Sequence, residues 1–539
     1  MSEKSIVWAY RSLFSIVVAL TFTLSSALMR YTGMAAPPDN DHIATCEEAR
    51  TVAENWLRLI VERDGQWSGE KHPSIDNLTE LRRGDLLLGY YASVQPQGYV
   101  VISFLKDFPP IRAYSIDSSL NPDAEGGMAD LLKDVAEAQI KFLIQQFGGL
   151  EKARTEEIDE SASIANRLAW LYLLQGAGSL PTNLRSLYAQ SSVQVGPLLK
   201  TSWHQRAPYN FSCPEMIGDE ACANAVVGCV QLATAQVMRY FHWPPYYSGA
   251  FRFYFDWPNM LNRYVRANGW FNDENGNPVT QAQIDAVAAL CAIAGQAMYT
   301  DYGCDITYGA LCHWLVDDAR DALEDDFFYS NPDLDQPYCE ERDSYSLDEW
   351  WNIIKQEIDN NRPVVYRIAT GAVFISDFDH AIVVDGYDNT GGLYQVHANY
   401  GWDDPHTAWY TLDNFDCDNA PGWQGGCSWD EEELIRHIYP RTGHCGVSWG
   451  TLGPRNSATD LPHYIYCDVI FVNTTIQGGA WVQFLPGTSI TGGSASAVTI
   501  EGRSPGETRF YSEGLTTRGL KVAAGGKIKL HSNGSIRVR

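Results

Sequence analysis

A cysteine at a helix start, a histidine at a strand start and an asparagine one strand further on are the residue types that attack a carbonyl covalently. After Gly228-Cys229, apolar residues at 230, 233, 237, 240 and 241 follow helical spacing, and Pro244-Pro245 ends the pattern. This predicts Cys229 at a helix N-terminus, with Gly228 permitting the tight entry. Unsatisfied backbone N–H groups and the positive end of the helix dipole favour a thiolate there. The same N–H groups can receive an oxyanion once the thiolate has attacked. Cys291, within Ala-Ala-Leu-Cys-Ala-Ile, reads instead as a core residue in mid-helix.

A thiolate nucleophile needs a base, and later an acid for the leaving amine. His380 stands directly before the apolar strand Ala381–Tyr387, and a second strand, Gly392–His397, leads into Asn399-Tyr400-Gly401-Trp402. Joined by the turn Asp388–Gly391, the two strands form a hairpin that brings His380 and Asn399 to the same end. The amide oxygen of Asn399 is then expected to orient the imidazole, with an aromatic ring shielding the bond. Each residue alone also suits a purely structural place; the combination is what points to chemistry.

The chain that must position these residues has 539 of them, enough for three or four folding units at about 150 residues each. With 45% hydrophobic and 19% charged residues it is globular in composition, and its net charge of −27 excludes a nucleic-acid partner for the whole molecule. The acidity is uneven: residues 443–539 hold nine Lys/Arg and five Asp/Glu. Short β-rich pieces separated by Gly/Ser corners in that tail predict a small β-roll or sandwich. With no convergent Cys, His and carboxylate set, the tail reads as an attachment, secretion or packing module.

At the other end, Lys4 and Arg11 precede the apolar run Leu13–Met29, and Gly33, Ala35 and Ala36 follow it, which is the pattern of a cleaved export signal over 1–36. Residues 46–148 read as a small α+β unit, with helices over 49–60 and 129–147 and strands over 86–94 and 98–104. Residues 176–197, rich in Ser, Gly, Asn and Gln, read as an exposed connector open to cleavage. Twelve cysteines without a CxxC pair argue against a zinc site. Cys213/Cys222 and Cys417/Cys427 are close enough in sequence to be disulfide candidates in an oxidising compartment. Asp273-Glu274-Asn275-Gly276-Asn277 lacks the offsets of a calcium loop and reads as a turn.

Taken together, four blocks resemble the streptopain family of papain-like cysteine peptidases. They are Trp203–Asn210 with Gln205, Gly228-Cys229-Val230 and its helix, His380–Tyr387, and Val396–Trp402 followed by Trp409–Leu412. Gly98–Ser103 with Pro109–Ser115 is similar to the inhibitory propeptide of that family. The resemblance implies an α+β chain with a signal peptide over 1–36, an inhibitory propeptide domain with its connector over 37–192, a papain-like peptidase domain over 193–442 and an all-β module over 443–539. It implies a secreted or cell-surface endopeptidase made as a zymogen, acting on protein or peptide substrates and held by its own propeptide, with no metal or cofactor.

Cys229 would be the nucleophile and His380 the base and acid. Gln205 would complete the oxyanion hole, Asn399 or its neighbours would orient His380, and Tyr400 and Trp402 would support it. The family usually carries Asn-Trp-Gly-Trp-Gly-Gly where this chain has Asn399-Tyr400-Gly401-Trp402-Asp403-Asp404, which places acidic charge at the cleft rim. A Cys/His amidase or acyltransferase and a catalytically idle binding protein on the same fold are the competing readings, because such a site is indifferent to leaving group and acceptor.

Overall fold

The first helix shows how local sequence sets local structure. Thr45 and Glu48 form a reciprocal capping box at the start of α1 (Cys46–Asp64), and Gly65 closes it at φ 81°. Its apolar stripe, Ala49, Val52, Ala53, Trp56, Leu57 and Ile60, is buried. The stripe lies on an antiparallel meander of β1 (Ser74–Arg83), β2 (Leu86–Gln95), β3 (Tyr99–Ser103) and β4 (Ile111–Ser115). Two more helices follow, α2 (Gly127–Phe147) and α3 (Glu160–Gln175). The second of these was not anticipated. Leu168, Ala169, Trp170, Leu171, Tyr172, Leu173 and Leu174 are all in or against the core, so the segment lacks the polar face that marks an amphipathic helix.

The structure, a computed structural model, describes residues 42–444 apart from 125–126, 148–159, 176–191, 218–220, 306, 310, 313–317, 331–336, 371–377, 403–406 and 413–431. Beyond 444 it describes the strands alone. The export signal, the Cys417/Cys427 pair, Asp403-Asp404 and most of the connector lie outside the described residues. All of the helices and strands named fall within one compact unit, Ala44–Arg539.

The end of the connector is described, and it is a strand: β5 (Gln194–Val195) pairs with the long central strand further on. Next comes α4 (Cys229–Phe241), a helix buried on nearly every side, against which the Ala-rich α5 (Gln281–Ala297) packs closely. The strand β6 (Tyr338–Glu341) leads to α6 (Leu347–Asp359), capped by the Ser346/Glu349 box. The rest is sheet: β7 (Val364–Thr370), β8 (Phe378–Asp388), β9 (Gln395–Asn399), β10 (Ala408–Thr411) and β11 (Glu433–Arg436).

These strands join the meander in one eleven-stranded sheet with the path β1-β2-β3-β4-β10-β9-β8-β7-β11-β6, β5 lying beside β8. The seam is β4 on β10, where Tyr114 faces Trp409 and Ala113 faces Tyr410. Leu393 and Trp409 belong to the same hydrophobic cluster as α1 and α3, so the front unit completes its core with residues from the second half of the chain.

The tail differs from the expected roll or sandwich. Its strands form three separate parallel sheets, and from His463 onward successive strands enter the three sheets in rotation, as in a three-sided coil. In-register ladders such as Leu452–Ile476–Ile500–Val522 follow from this winding. Parallel neighbours need a crossover of a dozen residues or more, and here the strands of the other two sheets provide it. A strand-corner-strand text looks the same whether the chain reverses or keeps winding, which is why sequence alone did not separate the two.

Two disulfides are described, Cys222–Cys304 and Cys312–Cys339. The suggested Cys213/Cys222 pairing is therefore incorrect. Cys222 exchanges backbone hydrogen bonds with Met216 at 3.0 and 3.1 Å and turns toward Cys304, while Cys213 is a buried thiol outside the described disulfides. Asp273 accepts bonds from the backbone N–H groups of Asn275 (2.9 Å) and Asn277 (2.7 Å), closing the turn read from sequence.

Candidate active site

The approach to Cys229 is pinned residue by residue. The N–H of Ala225 donates to Pro214 O (2.8 Å), that of Val226 to Gly303 O (3.0 Å) and that of Val227 to Gln205 O (3.0 Å). Gly228 then turns the chain into α4 at φ 93° and ψ 148°. A β-carbon there would lie 2.9 Å from the Thr307 methyl and collide with the Gln231 amide, so only glycine fits. Cys229 is the first helical residue, half-buried and outside the described disulfides, with no acidic residue in its first turn. Cys213 and Cys291 differ: burial pushes the Cys213 thiol up to about 12 and that of Cys291 well above its ordinary value, so both stay protonated and inert.

His380 sits on β8, which packs along α4 through Ala381 and Val383. The ring is almost wholly buried, and its Nε2 lies 2.8 Å from the backbone carbonyl of Tyr400. A carbonyl can only accept, so Nε2 carries the proton and Nδ1 is the basic nitrogen of the neutral ring. Tyr400 stacks on the imidazole at 5.9 Å between centroids and Trp402 covers it at 4.3 Å. Trp402 also forms a backbone bridge with His204, which sets the half-buried Gln205 next to the turn that carries Cys229.

Asn399 does not do what its position in sequence suggests. Its Nδ2 donates to Thr201 O (2.7 Å), and its Oδ1 accepts from Gln236 Nε2 (3.2 Å) and from the backbone N–H of Gly401 (3.1 Å). The imidazole is held by the Tyr400 carbonyl instead. Asn399 ties together α4, the segment around Thr201 and the loop that presents Tyr400 and Trp402. Gly401, at φ 66°, lets that loop lie against Leu232 on the first turns of α4.

Sequence reasoning missed Thr201 and Gln236, although a glutamine seven residues after the cysteine on a buried helix is a usable signal. It also could not find the Tyr400 carbonyl, because backbone atoms carry no residue type. Replacing Asn399 with alanine strands two buried donors and one acceptor. The expected cost is about 2–3 kcal/mol, read as a lower midpoint in denaturant or thermal unfolding.

Residues 203–410 match the family model described as the Peptidase C10 family, and residues 41–139 match that of the Spi protease inhibitor. Streptopain from Streptococcus pyogenes is 25% identical over 356 residues, covering 62% of this chain and 76% of streptopain. The thiol protease/hemagglutinin PrtT of Porphyromonas gingivalis is 26% identical over 264 residues, 48% of this chain but only 28% of PrtT. Among solved structures, a Prevotella intermedia prointerpain A fragment aligns with 68% of this chain and 99% of its own at 20% identity and a TM-score of 0.43. An inhibitor match over the front unit and a peptidase match spanning Gln205, Cys229, His380 and Asn399 make the chain similar to the peptidase C10 family, the streptopain family of cysteine peptidases.

Proposed function

We propose that this chain is a secreted cysteine endopeptidase made as a zymogen, with Cys229 as nucleophile and His380 as base and acid. The observation that supports the reading is a thiol at the N-terminus of α4 and an imidazole on β8, the strand packed along that helix, with its Nε2–H engaged by Tyr400 O. The Cys229 sulfur, as thiolate, adds to a peptide carbonyl carbon. The oxyanion is met by the Cys229 N–H and the Gln205 amide. The imidazolium Nδ1–H then protonates the leaving nitrogen, the C–N bond breaks and a thioester remains. Water, deprotonated by Nδ1, attacks the thioester, and collapse returns the thiolate and a carboxylic acid. Asn399 acts one step removed, by fixing the loop that supplies the Tyr400 carbonyl.

The front unit is the inhibitor and the connector its release point. For secretion, the support is the basic, apolar and small-residue sequence of 1–36 together with the two disulfides, which suit an oxidising compartment. No described helix is long and apolar enough to cross a membrane. For the tail, burial of Tyr464 against Phe241 and Trp243 supports a packing role.

The test is to incubate the purified chain with an unfolded protein and follow new N-termini. Their appearance, blocked when iodoacetamide labels Cys229, is the expected result; release of ammonia or acyl transfer without new N-termini would overturn endopeptidase action. Gln205→Ala is expected to lower kcat about 10²–10³-fold with little change in KM, measured on a peptide substrate.

A further inference from the structure

The residues that reach behind the nucleophile turn come from a segment, the described residues 300–305 and 307–309, that the proposed mechanism does not use. Gly303 O accepts the Val226 N–H at 3.0 Å, and the Thr307 hydroxyl donates to Val226 O at 2.8 Å while accepting from the Gly303 N–H at 3.1 Å. Thr307 also sets its methyl against Gly228. This segment is fastened to the helix side in two independent ways. The Cys222–Cys304 disulfide joins it covalently, across 82 residues of sequence, to the stretch of chain that runs into the turn. Gln231, fully buried in the first turn of α4, donates from Nε2 to Thr300 Oγ1 (2.5 Å) and Tyr308 O (3.5 Å). Its amide also fills the space where a β-carbon at Gly228 or Gly309 would sit.

We propose that Gln231 and the Cys222–Cys304 disulfide are positioning residues for the reaction: together they clamp residues 300–305 and 307–309 behind the 225–228 turn and thereby hold Cys229 at the helix start. The proposal rests on the reading of Cys229 as nucleophile. Its consequence is a conflict over thiols. A thiol peptidase needs a reductant to keep its nucleophile free, yet Cys222 and Cys304 are both half-exposed, within reach of the same reagent. A dithiol transfers two electrons and two protons to the bridge, leaving two cysteine thiols and a cyclic disulfide. Activity should therefore rise and then fall as the reducing strength increases.

The experiment uses the full chain after self-processing, titrated with dithiothreitol. Mass spectrometry of alkylated peptides identifies which disulfide has opened, kcat and KM are measured, and the pH midpoint of Cys229 alkylation by iodoacetamide is followed. Opening of Cys222–Cys304 is expected to cost about tenfold in kcat, with KM within about twofold, and to move the alkylation midpoint to higher pH. Gln231→Met, which keeps the volume and removes the bonds, should shift both in the same direction with the bridge closed. Cys312→Ser/Cys339→Ser serves as the control for disulfide loss in general, and its kcat should stay within about twofold. An unchanged kcat and alkylation midpoint with Cys222–Cys304 open would overturn the clamp. A wild-type chain with no hydrolysis at any dithiol level would instead overturn the function, and the alkylation midpoint would still decide the clamp.

Discussion

Cys229→Ala is expected to lower hydrolysis by the processed chain about 10⁴-fold or more, and to leave a chain that never trims its own connector. The size follows from what is lost: without the sulfur there is no covalent intermediate, and only oxyanion stabilisation and binding remain. His380→Ala should cost nearly as much, and the double variant little more than either alone, because the two act as one unit. The check is the initial rate on a peptide, with N-terminal sequencing of the chain itself. Cys229 is half-buried and alanine keeps the helix, so the unfolding midpoint should hardly move. A Cys229→Ala chain that still hydrolysed peptides at a comparable rate would end the assignment.

The second large effect concerns the hold of the front unit. Asp388, at the end of β8, has a fully buried carboxylate that accepts from Arg63 at 2.6 Å, Tyr114 Oη at 2.7 Å and the backbone N–H of Thr390 at 2.8 Å. Arg63 comes from α1 and Tyr114 from β4, so one carboxylate of the peptidase half is gripped twice by the inhibitor half. Arg63 also binds Thr390 at 2.8 Å and reaches Gln194 on β5, at the end of the connector. Burial opposes its charge, but Asp64 and Asp388 outweigh that and raise its pKa. Tyr114 is held protonated, first by burial and then by the Asp388 charge, so it remains a donor.

Arg63→Ala would leave a buried carboxylate with its main countercharge gone, a loss of about 3–5 kcal/mol in the grip. At 1.4 kcal/mol per factor of ten, that is about 10²-fold to a few thousand-fold weaker inhibition. The expected signs are a shorter lag before self-processing and faster labelling of Cys229 by iodoacetamide in the uncut precursor. Arg63→Met/Asp388→Leu, which removes both charges and keeps the volume, should restore much of the lag. An unchanged lag in Arg63→Ala would mean that the Tyr114–Trp409 stacking and the β4–β10 seam hold the unit without the ion pair.

Much of the site was legible because its signals are local. The spacing 230, 233, 237, 240, 241 needs only the period of a helix, and the His380–Tyr387 run needs only the apolar text of a strand buried on both faces. Helix α3 was not legible because its apolar residues surround it, leaving no contrast to detect. The pairing of Cys222 with Cys304 was not legible either, since nearness in sequence says nothing about a partner 82 residues away. Asn399 shows a subtler limit. Its end of the hairpin was placed correctly, but its amide went to Gln236, Thr201 and Gly401 because these buried polar groups surround it and must be satisfied.

By itself, the sequence determined that a cysteine opens a helix, that a histidine opens an apolar strand, and that the acidic body ends in a more basic β-rich tail. Each of these depends on a residue and its neighbours within a few positions. Only the tertiary structure decided which atom holds the imidazole, which cysteines join, whether the tail reverses or winds, and that Asp388 is gripped from the front unit. Those outcomes depend on burying polar and apolar groups from distant segments together, and burial is a property of the packed chain rather than of any stretch of it.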